Sequence, residues 1–408
     1  MTAQRVAMLS VHTSPLDQPG AGDGGGMNVY VEALARALAA AGIGCDVFTR
    51  AARPHAPAIV ETGSGVRVVH IDAGPRRPLP KETLSGYIDE FVASARAWIA
   101  REGVQYDVLH ANYWISGAVG HALKHELDIP LVTTFHSLAR VKAAAGMLDD
   151  PPGRATTEAD VVRCADRLVA STAAERDELI ERYGAEPYRV EIIPPGVDHH
   201  RFSPGDQRAA RRQLRLGPGP VLLFVGRIQP LKGVDLAVRC LAALPQSDAR
   251  LLIVGGPSGA DGDAEARSLV ELSRQLGVAS RVQFVSPVRH DRLVDYYRAA
   301  DVCLVPSRTE SFGLVALEAA ASGTPVVASA VGGLRALVDD GITGFLVEDR
   351  SVEGYAAPVA QLLADHELRS WIGHNASVRS DRYSWSIGAA RLRRLYADVA
   401  ARALVQCS

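Results

Sequence analysis

The chain has 408 residues, 47% of them apolar, and its 44 Lys and Arg nearly balance 46 Asp and Glu for a formal net charge of −2. This is the composition of an ordinary globular protein, long enough for two large α/β domains, with no basic tract to suit nucleic acid and no apolar run long enough for a bilayer. Cys45, Cys164, Cys240, Cys303 and Cys407 stand singly, without a CxxC pair or a disulfide framework, and no signal peptide precedes the first strand, so a cytoplasmic location is expected.

Arg5–His12 reads as the first strand, and Thr13–Asn28 as a turn-rich loop containing the consecutive glycines Gly24, Gly25 and Gly26. A helix over Met27–Ala41 follows. Strand, glycine loop and helix N-terminus together form a device for cradling an anion on bare backbone N–H groups. A flexible loop would read the same way, and the G-x-G-x-x-G fingerprint of dinucleotide sites is absent. Further strands are predicted at Asp46–Arg50, Val66–Ala73, Asp107–Asn112, Pro130–His136, Arg167–Ser171 and Val190–Pro194. Helices are predicted between them at Lys81–Arg101, Ile115–Glu126, Ala159–Cys164 and Thr172–Tyr183. Such alternation argues a doubly wound parallel sheet, with ligands at the carboxyl ends of the strands. His12, Tyr113, His136 and Ser137 collect at those ends. Lys81 opens a helix after a Pro/Gly-rich loop, and Arg154 falls in the loop Asp149–Ala155. Either histidine would equally suit a hydrogen-bonded core position, and a lone Lys or Arg a solvated one.

Asp198–Pro220 reads as an interdomain link. A second alternating series follows, with strands at Val221–Arg227, Arg250–Gly255, Val282–Pro287, Val302–Pro306, Pro325–Ala328 and Gly344–Val347. Its helices are expected near Val234–Leu244, Ala264–Leu276, Arg289–Arg298 and Ser311–Ser322. In GRIQPLKG, Arg227 and Lys232 flank a turn where two cations can clamp a diphosphate and take up leaving-group charge. Glu310 precedes the helix capped by Ser311, and Glu318 lies along it, on the order of 10 Å away at 1.5 Å of rise per residue. That separation spans hexose to ribose in a nucleotide sugar, with the helix N-terminus between them for the diphosphate. A decorative loop carboxylate and a solvated helical one remain the alternative. Ser384–Ala403 forms a last helix, with Trp385, Ile387, Leu392, Leu395 and Ala400 among its apolar positions.

The segment SRTESFGLVALEAAASGTPVV resembles the Glu-x7-Glu motif of retaining glycosyltransferases of the GT-B type, and HTSPLDQPGAGDGGGMNVYV resembles the opening of the D-inositol 3-phosphate glycosyltransferases of mycothiol biosynthesis. The resemblance implies two Rossmann-like doubly wound domains facing across a cleft: an acceptor domain over 1–200, a donor domain over 201–380 and a helix over 381–408 crossing back to the first. It also implies transfer of N-acetylglucosamine from UDP-N-acetylglucosamine to 1D-myo-inositol 3-phosphate. Gln18, Pro19, Gly26, Arg227, Lys232, Val288, Glu310 and Glu318 would meet the donor. His12, Asp23, Gly24, Gly25, Gly26, Met27 and Asn28 would line the acceptor. Lys81, Tyr113, Ser137 and Arg154 would grip its phosphate, with Ser137 standing where the family usually has Thr. His136, Arg227, Lys232 and Glu310 form the catalytic set. No cofactor is expected for the chemistry; a structural Mg²⁺ near Tyr297, Arg298, Ala300 and Thr324 and a homodimer are implied. A related transferase with another donor or acceptor, and a nucleotide-sugar-binding protein without turnover, are the competing readings.

Overall fold

Two parallel sheets, each in its own compact unit, organise the chain. The computed structural model describes residues 4–147, 150–259 and 262–407. The first unit comprises the residues up to Asp17, Gly26–Gly196 and those from Trp385 on; the second comprises Gln18–Gly25 and Val197–Ser384. Part of the glycine loop thus belongs to the second unit, whereas a single boundary near residue 200 places all of it in the first. Val197 bridges Ser384 in parallel, so the two ends of the longer segment of the second unit lie side by side.

The first sheet contains β1 (Arg5–Leu9), β2 (Gly44–Arg50), β3 (Ile59–Glu61), β4 (Arg67–Ile71), β5 (Val108–Asn112), β6 (Leu131–Thr134), β7 (Arg167–Ala170) and β8 (Val190–Ile192). Their order is β3-β4-β2-β1-β5-β6-β7-β8, parallel except for the short antiparallel edge strand β3. Three-residue β3 lacks a hydrophobic run and gave no strand signal. Buried Leu9, Phe48, Trp98, Leu109, Ile115 and Val161 fill the core of this unit. The last helix, Trp385–Ala400, packs on the helix Gly26–Ala40. Leu392 and Tyr396 are fully buried there, whereas Ile387, an expected apolar position, is exposed.

The second sheet contains β9 (Val221–Val225), β10 (Arg250–Val254), β11 (Val282–Val285), β12 (Val302–Val305), β13 (Val326–Ser329) and β14 (Gly344–Val347), in the all-parallel order β11-β10-β9-β12-β13-β14. Both sheets reverse winding at a switch point, β1/β5 in the first and β9/β12 in the second, which opens a ligand crevice at the carboxyl ends. Most strands stop before their apolar runs do, because the final residues leave the ladder to form those crevices. The expected link Asp198–Pro220 contains a helix, Gln207–Gln213, capped by Asp206. Its Arg211 pairs with Asp301 at 2.6 Å. Helices Ala139–Ala144, Val352–Ala364 and His366–Ser380 also went unpredicted.

The cysteines do not all stand alone. Cys164 and Cys407, separated by 243 residues, are brought side by side with 5.0 Å between their Cα atoms, while Cys45, Cys240 and Cys303 are buried and lie apart from them. Spacing along the chain cannot reveal a pair made by folding the C-terminal segment onto the first unit.

Candidate active site

In the first unit the switch point brings His12 and Tyr113 together, with ring centroids 4.5 Å apart. Tyr113 leaves β5 with φ 80°, and His136 leaves β6 with φ 62°. Left-handed conformations at bulky residues cost about 1–3 kcal/mol each and persist only where surrounding contacts fix them.

Those contacts centre on Arg154. It is the first residue of the helix Arg154–Cys164 rather than part of a loop, and it is 2% exposed. Asp149, which opened the expected loop, lies outside the described residues. Arg154 Nε donates to Glu158 Oε1 (2.7 Å), Nη1 to Tyr113 Oη (3.1 Å) and Asp150 Oδ1 (2.7 Å), and Nη2 to Ser137 O (2.9 Å) and Oγ (3.0 Å). These bonds occupy all five N–H donors of the guanidinium. Tyr113, Ser137 and Arg154 are therefore one cluster, with the guanidinium carbon also 4.9 Å from the Tyr113 ring centroid. Burial works against the Arg154 charge, but Tyr113, Glu158 and Asp150 outweigh it and raise its pKa. Asp150 Oδ1 also accepts from Lys142 Nζ at 2.7 Å, so one carboxylate oxygen sits between two cations. Lys81 is placed by another element, the 3₁₀ turn Lys81–Tyr87.

His136 is a neutral imidazole. Its surface is partly exposed, but the surrounding protein, including the edge-on Tyr30 ring 4.7 Å away, dominates its protonation. Burial, then the nearby His110, lowers its pKa to about 3. Asn112 Nδ2 donates to His110 O (3.4 Å), leaving Asn112 Oδ1 to accept from His136 Nε2 (2.9 Å). That network assigns the tautomer and turns Nδ1 into the acceptor. Gly26 and Met27 open the helix Gly26–Ala40, and Asn28 in its first turn donates to Thr13 Oγ1 (2.7 Å) and Ser14 O (2.6 Å), tying the helix to the loop.

In the second unit, Gln18 Nε2 donates to Val288 O (2.5 Å) and Pro19 O (3.1 Å), which gathers three expected donor residues. Gly256 N donates to Gly20 O (3.0 Å) and Ser258 Oγ to Gly22 O, fixing the rest of this segment. Asp23, Gly24 and Gly25 thus belong to the same compact unit as Gln18, Pro19 and Val288. A Cβ on Gly25 would meet Arg227 Nε at 3.2 Å, so the glycine lets the guanidinium approach backbone.

Lys232 follows β9, Glu310 follows β12, and the two meet across the second switch point: Nζ to Oε2, 2.7 Å, with Ser307 Oγ 3.2 Å from the same oxygen. Gly233, at φ 67°, permits this; a Cβ there would stand 2.2 Å from Pro306 O. Gly332 and Gly333 hold the other side, with Gly333 N donating to Glu310 O (2.8 Å). The helix after Glu310 is shorter than expected, Leu314–Ala321, and starts after Gly313 without a side-chain cap from Ser311. Gly313, at φ 104°, cannot be helical, so the first turn begins one residue later. Glu318 is not solvated. It is 5% exposed and accepts from Tyr297 Oη (2.8 Å) while contacting His290 Nε2 (2.6 Å).

Around Tyr297, Arg298, Ala300 and Thr324, Thr324 Oγ1 donates to Tyr297 O (2.7 Å), Ala300 N donates to the same oxygen (3.1 Å), and Ala300 O accepts from Gln207 Nε2 (3.0 Å). The set offers neutral oxygens only, two of them (Tyr297 O and Ala300 O) already accepting from protein donors, and the Arg298 guanidinium is bonded to Ser203. None of the four supplies a carboxylate, so a hard cation here would have to be held by backbone carbonyls and the Thr324 hydroxyl, and the chemistry at the crevice does not depend on it.

Sequence reasoning missed Asp150, Glu158, Lys142, Asn112 and His290. Glu158 had a legible signal, an acidic residue four after Arg154 on a helix. The others act through contacts made only by the fold.

The glycosyl transferases group 1 family matches residues 206–379 and glycosyltransferase family 4 matches residues 24–201. The D-inositol 3-phosphate glycosyltransferase of Acidothermus cellulolyticus is 48% identical over 411 residues, covering 98% of this chain and 91% of that one. That of Geodermatophilus obscurus is 50% identical over 393 residues, covering 94% and 86%. The chain belongs to the D-inositol 3-phosphate glycosyltransferase family. Among solved structures, the sucrose-phosphate synthase of Thermosynechococcus elongatus is 35% identical with a TM-score of 0.90, covering 96% of this chain and 98% of that one. HepE of Anabaena, solved with UDP-glucose, is 20% identical with a TM-score of 0.76 over 97% and 99%, a likeness of fold. Like other members of its glycosyltransferase family, the chain has two parallel α/β sheets in the GT-B fold. Among the described residues no helix is long and apolar enough to cross a membrane.

Proposed function

We propose that this glycosyltransferase moves N-acetylglucosamine from UDP-N-acetylglucosamine to 1D-myo-inositol 3-phosphate, with retention, opening mycothiol biosynthesis. The observation that carries the acceptor class is Asp150, whose carboxylate lies between Arg154 and Lys142 beside the Tyr113 and Ser137 hydroxyls. Two cations and two hydroxyls suit a phosphomonoester, and in this reading the acceptor phosphate displaces Asp150. Relatives named for inositol 3-phosphate support the same class. On the donor side, Arg227, Lys232 and the helix after Glu310 would take up diphosphate charge, Glu310 would hold sugar hydroxyls and Glu318 the ribose. Gln18, Pro19 and Val288 would frame the base. Neutral His136 would contact the donor sugar rather than serve as a general base. The acceptor attacks on the face that UDP leaves, with a diphosphate oxygen taking its proton. A trapped glycosyl–Glu310 adduct would overturn this route.

Mass-resolved product analysis with inositol 3-phosphate against unphosphorylated inositol tests the acceptor. Strong preference for the phosphorylated form is expected, and Asp150→Asn should lower its KM by removing the internal competitor. Comparable turnover of both acceptors would refute the phosphate site. The likeness to a sucrose-phosphate synthase favours one second reading, a hexose phosphate acceptor, which belongs in the same assay. A homodimer completes the proposal, and light scattering at the monomer mass would remove it.

A further inference from the structure

We infer that this chain carries a zinc site outside the transferase machinery, built by His121, His125, Cys164 and Cys407, which staples the C-terminal segment to the first unit. Among the described residues these four are the group of metal-ligating side chains whose donor atoms converge, all within 4.8 Å of one another. His121 and His125 lie one turn apart on the helix Trp114–Leu127, with ring centroids 5.1 Å apart. Cys164 ends the helix Arg154–Cys164, and Cys407 arrives from the far end of the chain. His125 Nε2 lies 3.2 Å from Cys164 Sγ and 3.1 Å from Cys407 Sγ, and His121 Nε2 lies 3.8 Å from Cys407 Sγ.

Zinc takes four nitrogen and sulfur ligands in a tetrahedron, with bonds of about 2.0–2.1 Å to nitrogen and about 2.3 Å to sulfur, so N-to-S edges near 3.5 Å are expected. The observed separations bracket that value. Two histidines at i and i+4 with two cysteines form a zinc-binding donor set. Two thiolates and two neutral imidazoles also balance the ion's charge, and binding releases two thiol protons to solvent.

A disulfide between Cys164 and Cys407 is the competing state. It satisfies the sulfurs but gives no reason for two imidazoles to point their Nε2 atoms at them. The chain is also delivered to the spot by other contacts. Lys124 Nζ donates to Cys164 O (2.7 Å) and Val405 O (3.0 Å), and Val405 N donates to Asp166 Oδ1 (2.7 Å). Lys124 and Asp166 pair at 2.9 Å, so a buried ion pair aligns the tail two residues before Cys407. Cys407 itself is exposed, so replacing it removes a ligand without opening the core.

The test is the zinc content of the full chain, purified under reducing conditions without chelator, together with its intact mass under denaturing conditions after thiol alkylation. One zinc per chain and alkylation of all five cysteines are expected. Cys407→Ser and His125→Gln should each lower bound zinc at least tenfold, while the exposed His55→Gln leaves it unchanged. Cobalt exchanged into the site should show the visible bands of a tetrahedral thiolate complex, lost in Cys407→Ser even when circular dichroism shows the variant folded. Chain without zinc, whether its mass shows free thiols or a disulfide lacking two hydrogens, overturns the site. So does zinc retained by Cys407→Ser.

Discussion

Lys232 Nζ and Glu310 Oε2 lie 2.7 Å apart across the β9/β12 switch point, one group following each strand. A cation proposed for the diphosphate and a carboxylate proposed for the sugar thus hold each other in place, and both are only partly exposed. The pair fixes both side chains at the carboxyl ends of neighbouring strands before a donor enters, the kind of preorganisation that serves developing leaving-group charge.

Lys232→Ala should therefore lower kcat by about 10²–10³, the usual loss for one charge-stabilising donor. UDP release under saturating donor measures it. A decrease smaller than threefold would remove Lys232 from the leaving-group site. Glu310→Gln should act on the same step, so the double variant should lose less than the product of the two single losses.

Arg154 is a different kind of residue, since its donors are all spent within the protein. Arg154→Met leaves Glu158 buried without its cation and should cost about 3–5 kcal/mol of stability. Arg154→Lys should keep much of that stability but release Tyr113 and Ser137, because an ammonium cannot replace the planar fork. Its expected signature is a raised KM for inositol 3-phosphate with donor KM unchanged, read from steady-state kinetics on each substrate.

Stability should depend on pH through three buried groups. Burial lowers His110 and His136 from 6.5 to about 3, so between those values the unfolded chain binds two more protons. Burial raises Glu175 from 4.5 to about 7, so across that interval the folded chain binds one more. From 4.5 to 6.5 the unfolded state keeps a net excess of one proton. Stability from these groups should fall as pH drops, by about 1.4 kcal/mol per pH unit. Glu175→Gln removes the opposing group, so it should double that slope and raise stability above pH 7. Urea midpoints across the window measure both effects, and an unchanged slope in the variant would show that Glu175 stays ionised in the folded protein.

Gly233→Ala tests the local geometry beneath Lys232. The residue has φ 67°, and its new methyl would meet Pro306 O at 2.2 Å. The left-handed backbone alone costs about 1–2 kcal/mol, and the carbonyl contact forces the Lys232 turn away from β12. Loss of activity larger than the loss of thermal stability is expected, measured by turnover and melting of the same preparation.

Two alternating strand–helix series, the turn around Arg227 and Lys232, and the Glu310–Glu318 spacing were all readable in the sequence, because backbone periodicity and loop chemistry are local properties. That information fixed two doubly wound sheets and which loops end at their crevices. Folding alone determined that Gln18–Gly25 leaves the first unit for the second, that Glu318 is buried against Tyr297 and His290, and that all five donors of Arg154 are engaged. It also brought Cys407 beside Cys164, His121 and His125. The physical reason is range: a helix or strand records itself in neighbours a few residues away, whereas a charge's partner is set by chain segments that only packing brings together.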